Sequence, residues 1–355
     1  LTATVAGAEG RVPAPSARIY AHQAGTVMRF LTALAALGEG PYFLDGDERM
    51  RERPVAPLVN ALNTLGADVS YEGREGFPPI VVKGGMKGGE VEMDASVSSQ
   101  FVSALLLTGP ALEHGVRINL AGTVASRPFI DMTLGLMRSF GAECGWGGDA
   151  ALTVKNSGYT SPRSGEYAVE GDATAASYFW AAAVITGGSV TVENVSPDGL
   201  QGDAAFDNVL ASMGAEVVRD ASGVTVSAGK QLRGITVDMN AMPDVVQTLA
   251  VTALFADGPT RIENVANLRV KETDRLAALE HELIRLGASV ETGPDWIEIR
   301  PAADRLRGAL LCTYNDHRMA MSLALAGLRV PGVIIENPGC TAKTFPDYFD
   351  VLERL

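Results

Sequence analysis

Runs of apolar residues that open directly after a polar segment recur along this chain. They begin near Thr26, Val97, Ala173, Asp244 and Asp316, at spacings of 71, 76, 71 and 72 residues. Their apolar positions continue for longer than a strand, which predicts helices. A glycine and a short strand-like segment follow each run, at residues 42–45, 116–120, 189–195, 260–265 and 333–337. The hydrophobic pattern therefore predicts a repeating unit.

A second helix completes each unit and ends in a common pattern. The endings are Leu-Gly-Ala-Asp-Val, Phe-Gly-Ala-Glu-Cys, Met-Gly-Ala-Glu-Val and Leu-Gly-Ala-Ser-Val, at 65–69, 140–144, 213–217 and 286–290. Glycine at this point suits a left-handed residue just after a helix. The unit is thus helix, strand, helix, strand, strand, and the fifth second helix covers 347–355. Because the unit is longer than the 20 to 50 residues typical of solenoids, we expect globular domains.

The domain organisation follows from the repeats. A Gly/Ser/Pro-rich run at 156–165 predicts a boundary between a first domain at 1–170 and a second at 171–355. Residues 2–5 and 18–20 resemble the closing strands of a unit whose helices are absent, and there is no initiator Met. We therefore expect that the first domain lacks an N-terminal unit of about 70 residues.

Composition narrows the functional classes. The chain has 355 residues, of which 46% are hydrophobic, and its net charge of −13 argues against nucleic acid or an anionic membrane as partner. Cys144, Cys312 and Cys340 form no paired motif and the histidines show no ligand spacing, which disfavours disulfides and zinc. No apolar run approaches the ~18 residues of a membrane span. We find no secretory signal and expect a reducing cytoplasm.

One helix start carries unusual charge. Asn267, Lys271 and Arg275 are spaced by four residues, so in one helix they would lie along one face. The apolar positions of that helix would be Leu276, Leu279, Leu283 and Ile284. Cations at a helix N-terminus oppose its dipole and are common where an anion binds, although an isolated cluster is more often a solvated helix start.

Other polar segments make anion binding the better interpretation. Four further helix starts carry residues of the kind that bind anions, at 23–29, 96–100, 171–174 and 314–318, and Asp244 follows Pro243 at another. An ordinary cap explains Thr26 or Asp172 alone. Capping does not explain an arginine in the first turn, as at Arg318. Arg53 before a helix and Lys343 in a loop add further cations.

Five of these motifs resemble one enzyme family. They are Met50-Arg-Glu-Arg-Pro54, Ser96-Val-Ser-Ser-Gln100, Val270-Lys-Glu-Thr-Asp-Arg275, Tyr314-Asn-Asp-His-Arg-Met-Ala-Met321 and Gly339-Cys-Thr-Ala-Lys-Thr-Phe-Pro-Asp-Tyr-Phe349. In this order they resemble the 5-enolpyruvylshikimate-3-phosphate synthase family, from about residue 20 to the end. The resemblance implies an α/β fold of mixed sheets, with two domains of repeated units around buried parallel helices.

The resemblance also implies a reaction. The family transfers the enolpyruvyl group of phosphoenolpyruvate to the 5-hydroxyl of shikimate 3-phosphate, in the shikimate pathway of aromatic amino-acid biosynthesis. A tetrahedral intermediate forms by addition and collapses by elimination of phosphate. The expected partners are these two substrates, with no metal or other cofactor, no nucleic acid and no membrane, and the expected form is a cytoplasmic monomer. Glyphosate, the inhibitor of the family, occupies the phosphoenolpyruvate site.

Individual residues match the functional positions of the family. The catalytic matches are Asp244, which holds the ring and takes the 5-hydroxyl proton, Glu272, which serves the methylene carbon, and Lys343. The matches to phosphoenolpyruvate ligands are Arg53, Arg275, Arg318 and Lys343, with Gly25 and Gln100 close by. The matches to contacts of the shikimate phosphate are Ser98, Ser99, Gln100, Ser126, Asn267 and Lys271.

Departures from the family pattern leave two alternatives open. The Lys-Ser-x-Ser-x-Arg motif of the family has no counterpart in this chain, Phe129 stands where many members have Tyr, and His22-Gln23 replaces Gly-Asn. One alternative is the related transferase acting on UDP-N-acetylglucosamine, which uses a cysteine near residues 50–54, but no cysteine precedes Cys144. The other is a non-catalytic relative that binds anions.

Overall fold

The computed structural model describes residues 2–122, 124–162, 164–196, 199–301 and 303–355. The chain divides into two compact units, Leu1–Ala168 and Val169–Leu355. Each unit has a hydrophobic core of its own. In the described part of the chain, no helix is both long and apolar enough to cross a membrane.

In its described residues, the first unit contains two four-stranded sheets and four α-helices. Its strands are Ala17–Tyr20 (β1), Tyr42–Asp45 (β2), Val69–Tyr71 (β3), Ile80–Val82 (β4), Gly89–Asp94 (β5), Val116–Ala121 (β6), Cys144–Trp146 (β7) and Ala151–Val154 (β8). Its helices are Gly25–Ala35 (α1), Ala56–Thr64 (α2), Ser99–Thr108 (α3) and Arg127–Ser139 (α4). The sheet orders are β1-β2-β4-β3 and β5-β6-β8-β7. In each sheet the first two strands are parallel and the other neighbours antiparallel.

The second unit also alternates helices and strands, and its described sheets have three, four and two strands. Its strands are Ser189–Val192 (β9), Glu216–Asp220 (β10), Gly223–Ser227 (β11), Thr236–Asp238 (β12), Thr260–Glu263 (β13), Ser289–Thr292 (β14), Ile297–Arg300 (β15), Leu310–Leu311 (β16) and Ile334–Ile335 (β17). Its helices are Ala173–Thr186 (α5), Phe206–Ser212 (α6), Val246–Thr252 (α7), Arg275–Arg285 (α8), His317–Ala324 (α9) and Tyr348–Leu352 (α10). The sheet orders are β10-β11-β9, β12-β13-β15-β14 and β16-β17.

The inner helices of the second unit, α5, α7 and α9, meet through small polar side chains. Ser177, Thr248 and Ser322 are fully buried, and their hydroxyls approach at 3.2 Å and 3.4 Å. Hydroxyls that bond one another allow helices to pack closely without an unsatisfied polar group. The three residues stand at corresponding places in successive repeats, 71 and 74 residues apart. The mixed α/β fold built from repeated units is confirmed.

The helix ends of the repeats are also confirmed. Gly66, Gly141, Gly214 and Gly287 have positive φ angles of 98°, 80°, 108° and 103°. In this left-handed conformation a side chain would be strained, so glycine lets the chain leave the helix and enter the next strand within a few residues.

Two local predictions were wrong, on residues 2–5 and on the start of α8. Residues 2–5 form no strand, because they are exposed and no neighbouring strand bonds to them. Helix α8 begins at Arg275 because Asp274 caps it, and Lys271 is extended. Asn267, Lys271 and Arg275 therefore do not share one helical face. Leu276, Leu279 and Leu283 are buried as expected, but Ile284 is 45% exposed.

Candidate functional site

The predicted site residues lie just beyond the carboxyl ends of parallel strand pairs. The pairs are β1 with β2, β5 with β6, β12 with β13, and β16 with β17. In α/β sheets, ligands bind outside the carboxyl ends of such strands. The residues that follow these pairs, in chain order, are Gly25, Arg53, Ser98, Ser99, Gln100, Ser126, Asp244, Asn267, Lys271, Glu272, Arg275, Arg318 and Lys343.

Backbone hydrogen bonds hold the segments after paired strands side by side. Ala125 N–H donates to the carbonyl of Ala95 at 3.1 Å, which joins the starts of α3 and α4. Glu336 N–H donates to the carbonyl of Leu311 at 2.9 Å at the ends of β16 and β17. The sheet therefore brings together residues that are 30 or so positions apart, independently of their side chains.

Two buried arginines define the site group of the first unit. Arg29, on α1, donates through Nη1 to Gln100 Oε1. Arg53 donates through Nη1 to the backbone carbonyl of Gln23 at 2.9 Å. Arg53 and Arg29 are only 3% and 5% exposed. Planar guanidinium groups held in this way suit a carboxylate or phosphate ligand.

Gly25 lies against these two arginines. A Cβ built on Gly25 would be 2.8 Å from Arg53 Nη2, 2.9 Å from Arg29 Nη1 and 3.1 Å from Gln100 Oε1. Contacts of this length require the side chains to move. A glycine here lets the backbone approach the guanidinium groups without displacing them.

Serine side chains at the starts of α3 and α4 complete the site group of the first unit. Ser98 caps α3 and its Oγ accepts a hydrogen bond from the N–H of Gln100 at 3.3 Å. Ser99 and Ser126 are buried, and Ser126 has a left-handed φ of 57° directly before α4. Hydroxyls and N–H groups at two neighbouring helix starts suit a phosphate group.

In the second unit, Arg275 joins three carboxylates. Its side chain is 1% exposed. Nε donates to Asp316 Oδ2 at 2.8 Å, Nη1 to Asp244 Oδ1 at 3.0 Å, and Nη2 to Glu272 Oε2 at 3.0 Å. Nη2 also lies 3.3 Å from Asp316 Oδ1. The guanidinium is thereby fixed in orientation as well as in place.

Asp244 contacts two further cations. Arg318 Nη2 donates to its Oδ2 at 3.2 Å, and Lys271 Nζ lies 3.5 Å from its Oδ1. Burial would raise the pKa of Asp244, but Arg318, Lys271 and Arg275 together hold that pKa well below its usual range. The carboxylate is therefore ionised at neutral pH.

Glu272 links Arg275 to the loop lysine. Lys343 Nζ lies 2.5 Å from Glu272 Oε1, while the other oxygen of Glu272 accepts from Arg275. Lys343 ends the 3-10 turn Pro338–Lys343, which follows β17. Asn267 lies on the 3-10 turn Ala266–Val270, which follows β13.

The structure therefore brings Asp244, Lys271, Glu272, Arg275, Arg318 and Lys343 together in the second unit. It brings Gly25, Arg53 and Gln100 together in the first. The binding of one ligand by Arg53 together with Arg275, Arg318 and Lys343, which the family resemblance implies, stays a prediction.

Two residues of these groups were not recognised as candidates from the sequence. Arg29 contacts Gln100, and the available signal was a charged residue within the otherwise uncharged α1. Asp316 is fully buried and binds Arg275, although the sequence indicated only a helix start there. Its neighbour His317 is also buried, and burial and then Arg318 lower the His317 pKa to about 3, so this imidazole is neutral.

The side chains of the second unit can transfer protons and can stabilise negative charge. Two carboxylates, Asp244 and Glu272, contact one guanidinium, with Lys271, Arg318 and Lys343 around them. Within the ranges that the structure describes, no group of three or more His, Cys, Asp or Glu side chains is arranged to hold a metal ion. The arrangement suits an anionic substrate whose reaction requires proton transfer.

Comparison with known proteins is consistent with this site. The family described as EPSP synthase (3-phosphoshikimate 1-carboxyvinyltransferase) matches residues 1–352. A 3-phosphoshikimate 1-carboxyvinyltransferase of Marinomonas sp. is 45% identical over 100% of this chain and 83% of its own length. That of Photorhabdus laumondii is 49% identical over 95% of this chain and 78% of its own. A solved EPSP synthase of Acinetobacter baumannii superposes with a TM-score of 0.76 at 26% identity, covering 96% of this chain and 79% of that one.

Proposed function

The chain belongs to the EPSP synthase family, and we propose that its two site groups bind phosphoenolpyruvate and shikimate 3-phosphate and catalyse enolpyruvyl transfer between them. The 5-hydroxyl oxygen forms a bond to C2 of phosphoenolpyruvate while a proton is added to C3. The C2–O bond to phosphate then breaks and a proton leaves C3, which yields the enolpyruvyl ether and phosphate.

The observation that carries this proposal is the arrangement around Arg275. Asp244 and Glu272 both accept hydrogen bonds from its guanidinium, at 3.0 Å each. Two carboxylates in fixed positions can serve two proton transfers, one at the 5-hydroxyl and one at C3. The surrounding cations supply charge-assisted contacts to carboxylate and phosphate.

We assign Asp244 the role of accepting the 5-hydroxyl proton. With Arg318, Lys271 and Arg275 directed at it, its pKa lies too low for an efficient base, because a base works best with a pKa near the operating pH. Anionic substrates compete for the same cations. Binding of the substrates would therefore draw the cations away from Asp244 and raise its pKa towards the value that the reaction requires.

We assign Glu272 the proton transfer at C3, with Lys343 as its partner. The 2.5 Å contact between Lys343 Nζ and Glu272 Oε1 places a cation beside a carboxylate that exchanges protons. Lys343 would also contact the phosphoenolpyruvate anion. Arg53, with Gly25 and Gln100, would contribute contacts to phosphoenolpyruvate, and Ser98, Ser99, Gln100, Ser126, Asn267 and Lys271 would bind the phosphate of the second substrate.

We place the enzyme in the cytoplasm and propose that it acts as a monomer. The free thiols of Cys144, Cys312 and Cys340 support a reducing compartment. Light scattering at micromolar concentration measures the molecular mass in solution and so tests whether the protein is a monomer. A mass of about twice the 37.2 kDa of one chain would contradict it.

Phosphate release in the presence of both substrates tests the reaction. We expect release only when phosphoenolpyruvate and shikimate 3-phosphate are both present, and the product should carry the enolpyruvyl group on its 5-oxygen by NMR. A parallel assay replaces shikimate 3-phosphate with UDP-N-acetylglucosamine. Transfer to the nucleotide sugar, or none to the shikimate, would contradict the proposed acceptor.

A further inference from the structure

A buried carboxylate on α8 lies outside the catalytic scheme. Glu282 is 1% exposed and stands seven residues after Arg275, so both side chains project from the same side of the helix. Buried carboxylates are rare unless they are paired or hydrogen-bonded. Its partners therefore indicate why a carboxylate is present here.

The donors to Glu282 come largely from the segment that follows β16. Tyr314 O–H donates to Oε1 at 2.8 Å, and Cys312 N–H donates to Oε2 at 3.1 Å. Arg285, one turn further along α8, donates from Nη1 to Oε2 at 3.3 Å. Two of these three bonds thus tie the 312–314 segment to α8.

That segment has a strained backbone. Tyr314 and Asn315 both have a φ of 54°, two consecutive non-glycine residues in the left-handed region. Such conformations persist only where the surroundings fix them. The bonds from Cys312 and Tyr314 to Glu282 fix one side of the turn, and Asn337 Nδ2 binds Asn315 Oδ1 at 3.3 Å on the other.

The strained turn leads directly into the proposed site. Asp316 follows it, accepts a hydrogen bond from Arg318 N–H at 2.9 Å as the cap of α9, and receives Arg275 Nε at 2.8 Å. Arg318 then reaches Asp244. Helix α8 therefore contacts this segment at two points, through Arg275 at Asp316 and through Glu282 at Cys312 and Tyr314.

We propose that Glu282 is a positioning residue that sets the placement of Asp316 and Arg318 relative to Arg275. This inference rests on the proposed function, in which Arg318 binds phosphoenolpyruvate. Glu282 itself contacts no substrate. Its effect passes through the turn at Tyr314 and Asn315, so it acts on the phosphoenolpyruvate contacts more than on those of the second substrate.

The variant Glu282→Gln tests the proposal. Glutamine has a similar shape but no charge. Its one carbonyl oxygen can still accept from Cys312 N–H and its NH2 can donate to Tyr314 Oη, so both ties become neutral hydrogen bonds, which are about half as strong as the charge-assisted ones. A small misplacement of a binding arginine has a large kinetic effect. We expect the KM for phosphoenolpyruvate to rise roughly tenfold, with the KM for shikimate 3-phosphate changed less than about twofold. Calorimetric titration with phosphoenolpyruvate alone measures the loss of affinity for this substrate independently of turnover.

Glu280→Gln is the matched control. Glu280 lies on the same helix and accepts a hydrogen bond from Thr292 at 2.9 Å, away from the 312–316 segment. We expect both KM values of this variant to match those of the unmodified enzyme. Tyr314→Phe removes one of the two ties and should raise the KM for phosphoenolpyruvate by a smaller factor. It also preserves the test if Glu282→Gln fails to fold.

Two outcomes would overturn the inference. Equal rises in both KM values for Glu282→Gln and Tyr314→Phe would indicate a general loss of structure, and unchanged values would show that Glu282 positions nothing. Arg318→Lys separates this inference from the proposed function. If that variant leaves phosphoenolpyruvate binding unchanged, the role of Arg318 is wrong; if it weakens binding while Glu282→Gln does not, only the positioning role fails.

Discussion

The two units build their site groups differently. In the second unit, carboxylates hold the cations, since Asp244, Glu272 and Asp316 all bind Arg275. In the first unit, the described contacts of Arg29 and Arg53 run to an amide oxygen and a backbone carbonyl, with Gly25 packed closely against both guanidinium groups.

The difference indicates a division of labour. Carboxylates beside arginines can accept and return protons, so the second unit carries the groups suited to catalysis. Serine hydroxyls, helix starts and crowded guanidinium groups cannot do so, but they bind anions with defined geometry. The site group of the first unit is thus shaped by close packing around Gly25, and that of the second unit by ion pairs.

The largest expected effect is the loss of Asp244, the proposed base in the second unit. Asp244→Asn removes the carboxylate that contacts Lys271, Arg275 and Arg318. We expect kcat for phosphate release to fall by about 10² to 10⁴, the usual contribution of a general base. Asp238→Asn, an exposed change on β12, is the control. A kcat for Asp244→Asn within tenfold of the parent enzyme would refute the assignment.

The second effect is on the free energy of unfolding. It compares the loss of a buried ion pair with the loss of an exposed one. Asp316→Ala leaves the buried guanidinium of Arg275 without its closest carboxylate, at 2.8 Å. Breaking a buried pair typically costs about 3 to 5 kcal/mol, and because Asp244 and Glu272 still bind Arg275 we expect the lower end of this range. In the first unit, Asp68 and Lys83 are 62% and 56% exposed, so Asp68→Ala should change the free energy of unfolding far less. Urea denaturation measures both, and similar losses would contradict the comparison.

The sequence predicted the local elements of this site better than the contacts between distant repeats. Helix starts, glycine ends and most strands follow from local patterns, as at Asp316, whose side chain caps α9. The pairing of Asp316 with Arg275 spans 41 residues, and no spacing rule reveals it because it depends on how the repeats pack. Polar and apolar residues alternate at 2–5 as in a strand, but no neighbouring strand pairs with this segment. The pattern alone therefore predicted a strand that does not form. The spacing of Asn267, Lys271 and Arg275 is that of one helical face, but Asp274 caps α8, so the helix begins only at Arg275.

The third effect is a pH dependence of stability that arises from the buried carboxylate of Asp203. Asp203 is 3% exposed and accepts a hydrogen bond from Thr174, and burial, followed by the charge of Asp244, raises its pKa to about 6. A pKa raised on folding gives stability that is present below pH ~4 and lost as the pH rises through ~6. Relative to Asp203→Asn, the parent enzyme should therefore lose about 2 to 3 kcal/mol over this range.

Urea denaturation at a series of pH values measures the difference between the parent enzyme and Asp203→Asn. The difference should be flat above pH ~7, where Asp203 is ionised in both states. Asp220, an exposed carboxylate with a lowered pKa held by Ser222, provides a contrast of opposite sign. A pH-independent difference for Asp203→Asn would show that this carboxylate titrates normally in the folded enzyme.

The smallest effect tests the role of shape in the first unit. Gly25→Ala places a Cβ within 3.1 Å of Arg53 Nη2, Arg29 Nη1 and Gln100 Oε1, so these side chains must shift or the ligand space must shrink. Extra methyl groups in a packed site commonly cost about 1 to 3 kcal/mol. We expect the inhibition constant of glyphosate to rise about tenfold or more, and the KM for phosphoenolpyruvate to rise less, because glyphosate has one more chain atom between its carboxylate and its phosphorus and so needs the longer space. Competitive inhibition assays on both enzymes give the two constants. Equal losses would mean that Gly25 only orders the arginines, and the first unit would then select its ligand by charge, as the second does.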